Sequence, residues 1–392
     1  MRHDGVRTDP TDGEKIMPAA SIFRTTTLPL GSRREFLKRS AAGLALAASG
    51  ASAFSSRAMA KTPINWLGWQ GYDSPLKTEG FLETNGIELA ATYLGSNDEI
   101  FIQLSANAPL DIVTPYMGYV PSLREAGLIQ PIDPAKVPNL AKVMPLLRYD
   151  ANLFANRTQW GVPFTWGAGP MVYDPAAVQP SSWFDIEKPE YKGKIAMMDD
   201  SLCMMLTVSL MVSGAKTASL LTHAQLAEVK KYCIKIKNEH ARSPIFVSYA
   251  DAVEAMVRGE VVMTLGGAEW LPTIAAGRKQ LAYLYPKEGC FAFIDSYAIP
   301  KSTPNPNLAH AMANHMLTLP AQLDLTKSNY AVATDEAVKA LTGPAASMYP
   351  YGDMTTFRKL NHFLPMAPGK DMGEIAGWPR WLAAWQEVLA AA

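Results

Sequence analysis

Two runs of alternating strand-like and helix-like segments constrain this chain more than anything else in it. In the first run, Ile64–Trp69, Ile87–Tyr93 and Asp111–Thr114 read as strands. Between them, Ser74-Pro75 opens a helix that Gly86 stops, and Ser96-Asn97-Asp98-Glu99 is a capping box for a helix reaching about Ala106. A helix from about Tyr119 to Ala126 completes the unit. After an irregular stretch the alternation resumes with strands at Met171–Tyr173 and Lys194–Met198. Ser201 is placed to cap a helix, Leu202–Val212, that is apolar nearly all round and so predicted to be buried; Gly214 ends it. The next helix carries Leu226, Val229, Cys233 and Ile236 at spacings of three, four and three, which makes one core stripe. Val253, Met256 and Val257 mark a further helix, closed by Gly259. Strands follow at Val261–Leu265, near Leu281–Tyr285 and at Phe293–Ile299, and the chain from Asn307 reads as mostly helical.

Strand–helix repeats of this length build parallel sheets with helices on both faces. A chain of 392 residues has room for two such units, since single domains usually run to about 100–200 residues. The predicted fold class is therefore α/β, a clamshell of two α/β domains joined by crossover strands. The first lobe is placed at residues 61–165 with about 298–345, and the second at 166–297 with C-terminal helices over about 346–392. Ligands in such folds sit in the crevice beyond the carboxyl ends of the strands, so residues just after strands count most.

Hydrophobic residues make up 48% and charged residues 18%, a globular composition. Nine of the 36 Lys and Arg and five of the 36 Asp and Glu lie in the first sixty residues, which leaves 27 basic against 31 acidic groups beyond them. A mildly acidic body does not suit nucleic acid, which asks for clustered positive charge. The basic start has its own reading. Ser32-Arg33-Arg34-Glu35-Phe36-Leu37-Lys38 has the twin-arginine pattern of a Tat export signal. A weakly apolar stretch, Ser40–Phe54, follows, and Ala58-Met59-Ala60 is an A-x-A cleavage site. That stretch is too short to span a bilayer stably. Residues 1–60 are thus predicted to be a signal peptide, cleaved near Ala60, and the mature chain to be periplasmic.

Cys203, Cys233 and Cys290 allow at most one internal disulfide, with the choice of pair open. No nucleophile elbow, Walker A loop or H-E-x-x-H motif is present. His310 and His315, five apart on a helix, point about 140° from each other and cannot share a metal. Adjacent Asp199 and Asp200 point to opposite faces if on a strand. No catalytic set and no cofactor is predicted.

From about Ile64 to Tyr330 the chain resembles the bacterial spermidine/putrescine-binding proteins. Four stretches carry the likeness: Trp69-Gln70-Gly71-Tyr72, Asp111-Ile112-Val113-Thr114-Pro115, the block from Trp183 through Lys188-Pro189-Glu190-Tyr191-Lys192-Gly193 to Asp199-Asp200, and Asp295-Ser296-Tyr297-Ala298-Ile299-Pro300. The resemblance implies an ABC importer's solute-binding component, docking on an inner-membrane permease and acting as a monomer that closes around a small amine. It implies Trp69, Tyr72 and Phe293 as aromatic walls, Asp295 as the acid for a terminal amine, Asp200 as a second acid and, more loosely, Tyr330 as a further wall. A linear polycation asks for such a set, because a desolvated ammonium must be paired and ring faces attract cations.

The departures bear on the ligand. Cys203 stands where the polyamine binders carry Glu, Gln70-Gly71 where the spermidine binder has Thr-Glu, and Tyr116 where a small hydroxyl residue is expected. The expected Trp after Val261–Leu265 falls near Gly267, with Glu269 and Trp270 close enough to substitute. A shorter diamine, or a zwitterion such as γ-aminobutyrate, needs fewer protein acids than spermidine does. Each residue also has a plainer reading: core packing for Trp69 and Tyr72, a structural hydrogen bond for Asp295, a helix N-terminal charge for Asp200 and pocket lining or packing for Cys203. A periplasmic enzyme of unrecognised mechanism is the rival from another class.

Overall fold

The computed structural model describes residues 61–95, 98–214 and 217–391; the twin-arginine segment, the cleavage site at Ala60 and the Ser96 cap lie outside them. The first sheet has β1 (Thr62–Gly68) between β2 (Ile87–Tyr93) and β3 (Ile112–Val113), all parallel. Ile64, Trp66 and Leu67 are buried, as a central strand requires. Next come β4 (Ile129–Gln130) and a small hairpin of β5 (Phe154–Ala155) and β6 (Thr158–Gln159).

Then β7 (Val162–Ala168) runs up to the second α/β unit. That unit's sheet has β8 (Met171–Tyr173), β9 (Ile195–Ala196), β10 (Met263–Thr264) and β11 (Ala282–Leu284), in the order β11-β8-β10-β9. The β9–β10 pair is parallel and the β8 pairs are antiparallel, so the sheet is mixed rather than wholly parallel. A third sheet sets β12 (Cys290–Tyr297) between β7 and β14 (Asn361–Phe363). Beyond β12, Ala298 exchanges backbone hydrogen bonds with Val113 of β3, and β13 (Ile299–Pro300) pairs with β4. The strand leaving the third sheet thus enters the first unit, as a crossover does.

The helical stripes read from the sequence hold. In the helix His223–Glu239 the buried residues are Leu226, Val229, Cys233 and Ile236, and Ser201–Ser213 is buried along most of its length. All three cysteines are free thiols. His310 accepts from the Asp133 amide, whereas His315 stacks on Phe81, so the two serve different neighbours.

Three local expectations are corrected. The segment after Ser74 is not one helix to Gly86. A 3-10 turn, Ser74–Gly80, leaves helical geometry at Thr78 and Glu79, and a short helix, Phe81–Thr84, follows. Ser201 does not cap the buried helix; Asp200 does, its Oδ1 accepting from the Cys203 amide at 2.9 Å. The stretch read as irregular contains β7, whose seven residues are all buried. A strand covered on both faces shows no alternation to read.

Candidate amine site on the crossover strands

The site is built on the β7–β12 ladder. Phe293 and Asp295, two apart on β12, face the same way. They lie opposite Gly167 and Thr165 of β7, and the register shifts just beyond Asp295. Such irregularities re-aim side chains beside sites. A Cβ on Gly167 would stand 2.6 Å from the Phe293 ring and 3.1 Å from Oε2 of Glu269. Only a glycine there lets ring and carboxylate meet over the strand.

Tyr72, in the turn after β1, reaches this face from the first unit. Its hydroxyl donates to Asp295 Oδ2 at 2.5 Å. Its ring meets Phe164 and Tyr330 edge-on, both with centroids 4.8 Å apart. The Tyr330 hydroxyl donates to the Gln70 carbonyl at 3.2 Å, which folds the turn over the tyrosine pair. Trp69 is half-buried against the core, and the Gln70 side chain is exposed.

Both carboxyls on this face are desolvated. Asp295 is 6% exposed, and burial pushes it up to about 7, against the opposing effect of the Tyr72 bond. Glu269 is 2% exposed, and burial pushes it up to about 8. Its Oε1 accepts from the Ala168 amide and the Tyr285 hydroxyl, both at 2.9 Å, while Oε2 is buried without a hydrogen-bond partner. Among the described residues neither carboxyl is paired with a basic side chain. An unpaired carboxylate in such a place is costly, and burial favours the protonated form of both.

The other expected residues are used differently. Both oxygens of Asp200 are engaged, Oδ1 by the helix amide and Oδ2 by the Tyr249 hydroxyl at 3.0 Å. Cys203 is buried against Gly266, and burial raises its thiol well above the ordinary range. The Tyr116 hydroxyl donates to the Leu364 carbonyl at 2.6 Å, and its backbone bridges to Asp295. Trp270 is half-buried at the start of the short helix Leu271–Ile274. Asp199 accepts from the Trp385 indole at 2.9 Å. The structure therefore brings Tyr72, Glu269, Phe293, Asp295 and Tyr330 together around β7–β12. It places Asp200 and Cys203 with Tyr249 at the start of the buried helix.

Sequence reasoning missed Phe164, Tyr249 and Tyr285. Tyr249 carries a weak signal, since it opens a helix behind a Ser248 cap; Phe164 lies in the fully buried β7 and Tyr285 just past β11, with nothing to mark them. Two shallow depressions, near Ala276–Leu281 and near Met354–Lys359, lie away from this face. Among the described residues no group of His, Cys, Asp and Glu is arranged to hold a metal ion, and no helix is long and apolar enough to cross a membrane.

Comparison with known proteins follows the same lines. The chain is 27% identical over 264 residues to the spermidine/putrescine-binding periplasmic protein of Escherichia coli K12, covering 65% of this chain and 72% of that one. Its structure is similar to that of a spermidine/putrescine ABC transporter substrate-binding protein from Streptococcus pneumoniae, with a TM-score of 0.66 at 19% identity, over 84% of this chain and 98% of the other. A solved GABA receptor is also similar, with a TM-score of 0.61 at 18% identity, over 83% of this chain and 98% of the other. These likenesses show the two-lobed α/β fold of periplasmic binding proteins. Residues 78–351 match the model of the bacterial extracellular solute-binding proteins, and the chain belongs to that family.

Proposed function

We infer that this protein is the substrate-binding component of an ABC importer and holds a small linear amine between its two lobes. One observation carries the reading: Asp295 and Glu269 are buried on one face without basic partners, with the Phe293 ring beside them. A guest with two ammonium groups satisfies both acids, and its methylenes suit the rings of Phe293, Tyr72 and Tyr330.

The spacing favours a short diamine. Glu269 reaches β7 at the level of Gly167 and Asp295 at that of Thr165, an offset of about 7 Å along the strand. Butane-1,4-diamine has five bonds of about 1.5 Å in its zigzag, which set its nitrogens about 6 Å apart. Lying alongside the strand, such a guest sets one nitrogen near each acid, within reach of a charge-assisted hydrogen bond. Spermidine contains the same four-carbon segment and carries a third ammonium beyond it, which these two acids leave unpaired.

The site residues are mostly buried, so the guest reaches them only when the lobes part. Closure follows because a ligand touching both lobes favours the closed state. The lobes divide as 61–165 with about 298–345 and 166–297 with about 346–392, Tyr72 coming from one and Glu269 from the other, with Asp295 on the crossover. The protein acts in the periplasm as a monomer, exported through its twin-arginine segment, and delivers its guest to a membrane permease. The curated E. coli relative, by its name a periplasmic binder of these amines, supports this placement.

A second reading, a zwitterion of the γ-aminobutyrate kind, gains from Cys203, which lies where polyamine binders carry an acid. Calorimetry with putrescine, spermidine, agmatine and γ-aminobutyrate tests both. Putrescine as the tightest ligand supports the diamine reading; γ-aminobutyrate alone replaces it with the second.

A further inference from the structure

The segment between β14 and the C-terminal helix Trp378–Ala390 is fastened on two sides. Toward the second unit it is held by backbone bonds, from His223 N–H to the Glu374 carbonyl at 3.0 Å and from Ala376 N–H to the Leu221 carbonyl at 2.8 Å. The helix that follows it packs on Ser201–Ser213 and His223–Glu239. Its other side grips the first unit. The Tyr116 hydroxyl donates to the Leu364 carbonyl at 2.6 Å, and the Met366 amide to the Gly118 carbonyl at 3.2 Å. The Trp378 indole donates to Asp98 Oδ1 at 2.7 Å, an oxygen that also takes the Tyr119 hydroxyl at 2.6 Å.

These grips are built rather than incidental. A Cβ on Gly118 would stand 2.9 Å from the Met366 nitrogen, so the approach needs a glycine. Tyr119 and Trp378 are both buried, and bonds to a carboxylate are the stronger kind. Tyr116 and Gly118 lie just past β3, where the chain borders Asp295. Few bonds join strap to turn, so they can part without unfolding either unit.

The geometry points to a latch: Leu364–Trp378 is a strap carried by the second unit that holds the first unit shut through Asp98, Tyr116 and Gly118. Opening the lobes breaks the three grips together. That this opening admits an amine rests on the proposed function; the latch itself does not.

The test uses the ligand-free mature protein and amide hydrogen exchange at Met366, with the radius of gyration from X-ray scattering alongside. Trp378→Phe keeps a ring and removes the donor. It is expected to speed exchange at Met366 roughly tenfold or more, as loss of a bond to a charged group implies, and to enlarge the scattering radius. Asp98→Asn weakens the same grip and shifts both readouts in the same direction. Trp385→Phe, which removes a comparable indole bond to Asp199 inside the second unit, leaves Met366 unchanged. Exchange at Met366 within about twofold of the unmodified protein in a folded Trp378→Phe variant overturns the latch. Failure of amine binding with faster exchange in Trp378→Phe sinks the functional reading and leaves the latch standing.

Discussion

The Tyr72 hydroxyl lies 2.5 Å from Asp295 Oδ2, tying the turn after the first strand to the strand that crosses between the units. This bond gives the crossover carboxylate a fixed donor from the first unit, and a cation would complete its neutralisation. Asp295→Asn keeps the shape, still accepts from Tyr72 and removes the charge. Affinity for putrescine is expected to fall by about 2–5 kcal/mol, the usual cost of breaking a buried charge pair. Tyr72→Phe removes one hydrogen bond and is expected to cost about 1 kcal/mol. Titration calorimetry of both variants, with circular dichroism as a check on folding, reads these effects.

Glu269 tests the length of the guest. Glu269→Gln preserves the acceptor for Ala168 and Tyr285 and abolishes the anion. Putrescine binding is expected to weaken roughly ten- to hundredfold, in keeping with a bond to a charged group. Butylamine, with one ammonium, is expected to bind the variant and the unmodified protein alike. Competition against a fluorescent amine measures the ratio.

Binding depends on pH with a definite sign. The carboxyls of Asp295 and Glu269 are raised to about 7 and about 8, and unfolding returns them to about 4. Protonated in the ligand-free fold, they contribute stability that is fully present below about pH 4 and lost as pH rises through about 8. A dication favours their ionised forms, so its binding releases protons and strengthens from pH 6 to pH 8.5. The steepest gain is about tenfold per pH unit for each group still protonated. Calorimetry at pH 7 in phosphate and in Tris reads the released protons as a buffer-dependent enthalpy. Equal enthalpies in the two buffers would contradict the assignment of these acids.

Asp200 separates cap from ligand contact. It caps the buried helix and accepts from Tyr249. Asp200→Ala is expected to lower stability by about 1–2 kcal/mol, the cost of a lost cap, measured by urea unfolding. Its putrescine affinity is expected to change far less than that of Asp295→Asn.

Much of the fold was legible because its signals are local. The stripe Leu226, Val229, Cys233 and Ile236 needs only helical periodicity, and the two strand–helix runs needed only their alternation. β7 was hidden because burial on both faces erases the period of two. The site divided along the same line. Tyr72, Phe293, Asp295 and Tyr330 followed from the resemblance, and the structure sets them on one face. Asp200 and Cys203 follow from it too, yet a one-residue shift in where the helix is capped turns Asp200 toward the amides and Tyr249. The pairing of Glu269 with Phe293 over Gly167 could not be read from the sequence, since Gly167 lies more than a hundred positions from both.

The central claim is that a small cation is held by the acids on the crossover face. Native mass spectrometry of the exported protein, followed by titration with putrescine after the bound guest is removed, tests it most directly. A bound amine, or saturable putrescine binding that Asp295→Asn weakens by about 2–5 kcal/mol, is the expected result. A sugar or an anion recovered from the protein, with no binding of any amine, would contradict it.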